Sequence, residues 1–370
     1  MQPIPVIDGH NDLPWAHRQA ASYDLLALDV AASQPRLRTD LPRLRRGAVA
    51  GQFWSVYVPT TLSGSDAVVA TLEQIEFVHR LVERYPDTLA LAATAAQAEA
   101  AIESGRIASF LGAEGGHSIA GSLPVLRIFH LLGVRYLTLT HNRNVGWADS
   151  CTDKPTTGLS AFGETVVQEM NRLGMLVDLS HVSADSARAA LRVSHAPVIF
   201  SHSSCRALCD HPRDVPDDVL ALLPANGGVL MVTFVPAFIS PECAEWQRRF
   251  EAELDQRGLD EFQPEAKRFA EEWEGSHPRS RATLAQVADH VEHAREIVGT
   301  DHIGLGGDFD GSSDYPVGLD DVSCYPNLMG VLAERGWTEA DLQRLGSKNI
   351  LTALRGAEAV ARDFAAATPG

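Results

Sequence analysis

Cysteine and lysine are scarce in this chain, and long apolar runs are missing. Five cysteines, Cys151, Cys205, Cys209, Cys243 and Cys324, are scattered through 370 residues. An odd, sparse set of this kind makes no disulfide framework, so reduced thiols in a cytoplasmic protein are expected. No run approaches the ~18 apolar residues of a membrane span. The first residues, MQPIPVIDGHND, lack the basic and apolar regions of an export signal, and the last, FAAATPG, are too short and mild for an anchor signal. No membrane partner is therefore expected. Excess positive charge is also lacking: 31 Lys and Arg stand against 48 Asp and Glu, a formal net charge of −17. That balance argues against nucleic acid as the main partner. A G-x-G-x-x-G after the first apolar run is absent, which argues against a dinucleotide-binding, doubly wound sheet.

What is present is alternation. Hydrophobic residues make up 45% of the chain, enough for a sizeable core. Short β-branched runs occur at Ile4–His10, Gln52–Val58, Ile107–Ala113, Arg135–Thr140, Met175–Ser180, Pro197–Ser201, Gly228–Phe234 and His302–Gly307. A small extra strand is expected at Leu89–Ala93. Amphipathic stretches separate the runs, among them 66–85, 94–105 (capped by Thr94), 161–173, 183–192, 216–223 and 282–298. Strand and helix in alternation predict a parallel sheet, and eight strands predict a (β/α)8 TIM-type barrel, one domain over residues 1–370. The charged, Trp-containing stretch at about 240–280 breaks the rhythm and reads as a helical insertion after strand seven. There it would lie over the barrel mouth, as a lid or as a plain solvated helix.

The ligand-type residues fall at strand ends. His10 and Asp12 end strand one, Glu114 strand three, His141 strand four, His181 strand five, His202 strand six and Asp308 strand eight. In a barrel those ends converge on one mouth. Stability does not require so many charges there, because burying them without a cation is costly. His10 and Asp12, two apart on an extended segment, point the same way and suit one metal. His181 and His202 suit a second; imidazole with carboxylate favours zinc, two ions per chain. A bridge is then needed. None of the three lysines, Lys154, Lys267 and Lys348, ends a strand, which leaves Glu114 in GAEGGH. Two zincs can hold a hydroxide between them and polarise a carbonyl. For attack on an amide, Asp308 would carry the proton, His141 would donate to the oxyanion and Arg213 would bind a substrate carboxylate. A competing reading makes His202, Cys205, Cys209 and His211 a structural zinc knot. Its spacing matches no common finger, and Cys205 and Cys209 are expected instead as buried residues on a helix after strand six. Phe238 would line the pocket or simply pack in the core.

Eight stretches together, IDGHNDLP, GAEGGH, RYLTLTHNRNVGWADS, GMLVDLSHVS, FSHSSCRAL, HPRDVPDD, ADHVEHAREIVG and HIGLGGDFDG, resemble the membrane (renal) dipeptidase family of zinc peptidases from about Ile4 to Arg355. The resemblance implies His10 and Asp12 on one zinc, His181 and His202 on the other, and Glu114 between them. It implies substrate binding by His141 and Arg213 and acid/base work by Asp308. It implies hydrolysis of free dipeptides, tolerance for a D-residue at the C-terminal position and a homodimer. Related metal-dependent amidohydrolysis, of N-acyl amino acids or β-lactams, is the alternative activity. The lipid anchor of the mammalian members is not implied, since its signals are not seen.

Overall fold

The computed structural model describes residues 3–259 and 264–367. Nine strands occur in it: β1 (Val6–Asn11), β2 (Val49–Tyr57), β3 (Leu89–Leu91), β4 (Ile107–Glu114), β5 (Val134–Thr138), β6 (Leu176–Asp178), β7 (Val198–Ser203), β8 (Val229–Val232) and β9 (Ile303–Leu305). Every pairing between them is parallel. Because β2 pairs with β4 and β1 with β9, eight strands close in the order β1-β2-β4-β5-β6-β7-β8-β9. This is the expected (β/α)8 barrel. β3 stands outside the ring, paired to the first residues of β4.

The strands carry unbroken apolar runs because both faces are covered. Inside the barrel lie Ile7, Phe53, Phe110, Tyr136, Leu176, Ile199, Val229 and Met231, joined by Ile350, Leu351 and Leu354 of the C-terminal helix Asn349–Ala367. A larger apolar layer packs the outer strand faces against the surrounding helices. Helix starts follow the sequence signals: Thr94, Ser160, Ser183 and Thr283 each accept a hydrogen bond from the backbone N–H three residues on.

Two local expectations are corrected. The stretch 216–223 is not one helix but two four-residue turns, Asp217–Leu220 and Leu223–Asn226. Pro224 lacks the N–H that would have continued the first into the second. Cys205 and Cys209 are buried, as expected, but not on a helix. Cys205 makes a parallel bridge to Val215, and its thiol donates to His290 O, while that of Cys209 donates to Ala237 O. The chain here is committed to non-helical pairing, with Arg206 N donating to Val215 O and Val215 N to Ser204 O.

The insertion is helical, as Pro241–Arg257 and Pro264–Ser276; residues 260–263 of the expected 240–280 stretch lie outside the described residues. Phe250, Leu254, Leu259, Phe269 and Trp273 give it a small apolar cluster of its own. At its base Arg279 stacks 4.0 Å over the Trp246 ring.

Candidate metal centre

At the C-terminal ends of the strands the chain brings seven of the eight expected side chains into one connected cluster, with Arg213 beside them. His10 sits on β1, with Asp12 just past its end. Glu114 ends β4, and His202 lies near the end of β7. His141, His181 and Asp308 come three residues beyond β5, β6 and β9, on turns that bend back over the mouth. His181 (φ 66°) and Asp308 (φ 57°) both adopt the left-handed backbone region. This conformation is costly for a side chain other than glycine and persists only where the surroundings enforce it. They do so here through the carbonyls. Thr140 Oγ1 and Cys151 N donate to His181 O, and Tyr315 Oη donates to Asp308 O.

Glu114 is the hub. Its Oε2 lies 3.6 Å from His10 Nε2, while its Oε1 lies 3.0 Å from His181 Nε2 and 3.4 Å from His202 Nε2. Asp12 Oδ2 is 3.4 Å from His10 Nε2. His181 Nε2 and His202 Nε2 face each other at 3.0 Å. His141 Nε2 is 4.0 Å from Glu114 Oε1, near enough that distance alone would also admit it as a ligand. Asp308 joins His10 and Asp12 in a group whose ligand atoms lie within 4.8 Å of one another.

These donors suit divalent cations. His10 Nε2 and Asp12 Oδ1 are buried without a hydrogen-bond partner. Facing imidazole nitrogens and crowded carboxylates repel unless a positive charge stands between them. Nitrogen and oxygen donors in this mix are those of zinc sites. Burial opposes ionisation of Glu114, yet the His10 ring and the His181 and His202 rings beside it hold it well below the usual carboxylate range. Burial and the neighbouring Asp12 and Glu114 carboxylates push Asp308 well above it. Burial lowers His141 to about 4, so its ring is neutral at pH 7; the Tyr57 ring lies 4.9 Å away.

Arg213 is buried beside His202: its guanidinium donates to His202 O at 3.0 Å and Ser203 Oγ at 3.2 Å, leaving Nε without a partner. Phe238 packs against it, 5.1 Å from ring centre to guanidinium carbon, and against His211 at 4.6 Å. The zinc-knot reading fails on placement. His202 faces Glu114, and His211 Nδ1 accepts from Arg213 N instead.

Sequence reasoning missed the residues that hold these histidines in place. Tyr136, Asn142 and Ser201 each touch the outer nitrogen of one histidine. Asp178 accepts from Thr138 Oγ1, Ser201 Oγ and the Ser180 and Ser201 amides, tying three strands behind the site. Asp8 accepts from Gln52 Nε2 and Gly307 N and does the same on the other side. Strand alternation put Tyr136 on the face of Thr138, and that was the only available signal.

Residues 1–368 match the membrane dipeptidase family, peptidase family M19. Dipeptidase 3 of Mus musculus is 40% identical over 366 residues, 97% of this chain and 66% of that protein. The chain thus spans just under two thirds of this relative. Dipeptidase verJ of Clonostachys rogersoniana is 41% identical over 374 residues, 96% of this chain and 85% of the relative. A metallopeptidase structure from Rhodobacter sphaeroides, liganded with a phosphinate mimic of the dipeptide L-Ala-D-Ala, has TM-score 0.80 and 23% identity, covering 96% of this chain and 100% of that one. A barrel whose strand ends gather this donor set, matched along nearly its whole length, places the chain in the membrane dipeptidase family, peptidase family M19.

Proposed function

We propose that this chain is a binuclear zinc dipeptidase that cleaves free dipeptides and accepts a D-residue at the C-terminal position. The observation that carries this reading is the division of Glu114, one carboxylate oxygen toward His10 and the other toward His181 and His202. His10 with Asp12 would hold one ion, His181 with His202 the other, and Glu114 both. Divalent ions there supply Lewis acidity toward the scissile carbonyl and a water that is nucleophilic at neutral pH.

The chain's own residues do the rest. Asp308 takes a proton from the attacking water as the C–O bond forms. It returns that proton to the amide nitrogen as the C–N bond breaks, releasing an amine and a carboxylic acid. His141, neutral and fixed beside Tyr57, donates a hydrogen bond to the carbonyl oxygen as negative charge gathers there. Arg213 directs its unpartnered Nε–H at the substrate's C-terminal carboxylate.

The test combines zinc content by elemental analysis with hydrolysis of L,L- and L,D-dipeptides and their N-blocked analogues, before and after chelation. About two zincs per chain, with chelator-sensitive cleavage of the free dipeptides alone, is the expected result. Two zincs with cleavage of N-acyl amino acids or β-lactams instead would move the assignment to the amidohydrolase alternative. Turnover insensitive to chelation would overturn it.

A further inference from the structure

His10, His181 and His202 all turn Nε2 toward Glu114. A histidine ligates through a nitrogen that carries no proton, so the bond made by the other nitrogen decides whether the inward one can serve. His202 finds that partner in the residue before it, and His181 finds it 39 positions back, in the loop after β5. His181 Nδ1 lies 3.1 Å from Asn142 Oδ1, and His202 Nδ1 lies 2.8 Å from Ser201 Oγ, whose hydroxyl donates to Asp178.

His10 is served from across the barrel. Its Nδ1 lies 2.8 Å from Oη of Tyr136, a β5 residue 126 positions away. The same hydroxyl donates to Gly9 O at 3.2 Å. A phenol has one proton. With that proton on Gly9 O, Oη has only lone pairs left for His10, so Nδ1 carries the hydrogen. Nε2 then keeps its lone pair, aimed at the gap shared with Asp12 Oδ2 and Glu114 Oε2.

The tyrosine's route is built into the neighbouring strand. Gly112 of β4 is paired in register with Tyr136, and a Cβ at Gly112 would lie 2.0 Å from the ring's Cζ. The ring lies where any residue but glycine would place a side chain, and Phe53 packs beside it with ring centres 5.4 Å apart.

We infer that Tyr136 is a positioning residue for the ion held by His10 and Asp12, its hydroxyl fixing His10 as the Nδ1–H tautomer with Nε2 free to coordinate. The inference rests on the reading of His10 as a metal ligand.

The experiment is zinc titration of metal-stripped wild type and Tyr136→Phe against a chromophoric chelator, with thermal unfolding of both metal-free proteins alongside. Wild type binding two ions, with Tyr136→Phe weakened ~10–100-fold for one ion and unchanged for the other, is the expected result, that range being typical of lost outer partners. A purely structural role would lower the metal-free midpoint without separating the two affinities, and that outcome overturns the inference. Equal affinities in both proteins overturn it as well. Failure of wild type to bind zinc strikes the metal reading itself. A second measurement needs no variant: nitrogen-15 shifts of the His10 ring in zinc-loaded wild type should show Nδ1 protonated and Nε2 metal-bound, and the reverse pattern refutes the proposal.

Discussion

Gly311 offers a test of how tightly the two carboxylates at the barrel seam are placed. A Cβ on this residue would lie 2.3 Å from both Asp12 Oδ2 and Asp308 Oδ1, where ordinary contact begins at 3.4 Å. Gly311→Ala therefore demands a displacement of about 1.1 Å, shared between the loop and the two carboxylates. Gly311 is not among the positive-φ residues, so alanine adds no backbone strain, only bulk. A misplacement of ~1 Å in a reacting constellation costs about 100-fold, or about 2.7 kcal/mol in the activation barrier. The assay is kcat/KM on whichever dipeptide wild type cleaves, with zinc content and the urea midpoint of the metal-free protein. The control is Gly330→Ala, in the helix Tyr325–Glu334, where an added Cβ meets nothing within 4 Å. That change should stabilise the fold by ~0.5–1 kcal/mol and leave kcat/KM alone. If Gly311→Ala keeps its zinc and turns over within about threefold of wild type, the loop yields freely and the placement argument is wrong.

Other perturbations separate the roles within the site. Asp308→Asn should retain both zincs yet lose ~10²–10⁴-fold in kcat, because only the proton carrier is removed; full turnover would disprove the assignment. Glu114→Gln should lose zinc along with activity, seen by elemental analysis after dialysis. Arg213→Lys should raise KM ~10–100-fold with a smaller change in kcat, the worth of a charge-assisted hydrogen bond; an unchanged KM removes it from the carboxylate subsite. Outside the cluster of strand-end side chains, His290 is locked neutral: Nδ1 accepts from Cys205 N and Nε2 donates to Ile239 O, and burial lowers it to about 4. The unfolded chain takes up this proton first, so the stabilisation is complete above pH ~6.5 and is lost as pH falls toward 4. Between pH 7 and 4.5, metal-free wild type should lose about 2.5 kcal/mol more than His290→Gln in urea titrations; parallel losses would contradict this.

The barrel was readable because apolar runs both of whose faces are buried cannot be mistaken for amphipathic helices when turn residues bound them. All eight barrel strands and the extra strand at Leu89 occur where expected, with ends shifted by a few residues. The clustering of these histidines and carboxylates was readable because His10, Glu114 and His202 lie on strands or at their ends. His181 and Asp308 were found by the same logic, though their turns depend on left-handed backbone that nothing in their residue types announces. What was not legible is what the fold brings from afar. Tyr136 reads as a core aromatic, and only the closed barrel puts its hydroxyl on His10. Asp8 and Asp178 read as ordinary strand acids, yet each is fully buried and consumed by backbone and side-chain donors from neighbouring strands. The non-helical course of Cys205 was hidden for the same reason, since its partner Val215 is set by tertiary pairing rather than local propensity.

The seam between β1 and β9 also dictates when competence can arise during synthesis. Asp8 and Gly307, which clasp each other across it, are 299 positions apart in the chain. Asp12 N donates to Phe309 O and Asp308 N to His10 O over the same junction. Translation at ~5–20 residues per second separates the emergence of these halves by roughly 15 to 60 s. Throughout that interval the nascent chain carries histidines and carboxylates but no assembled centre. The ring closes last at the place where Asp308 meets His10 and Asp12, so these three side chains come together only after nearly the whole barrel has been made.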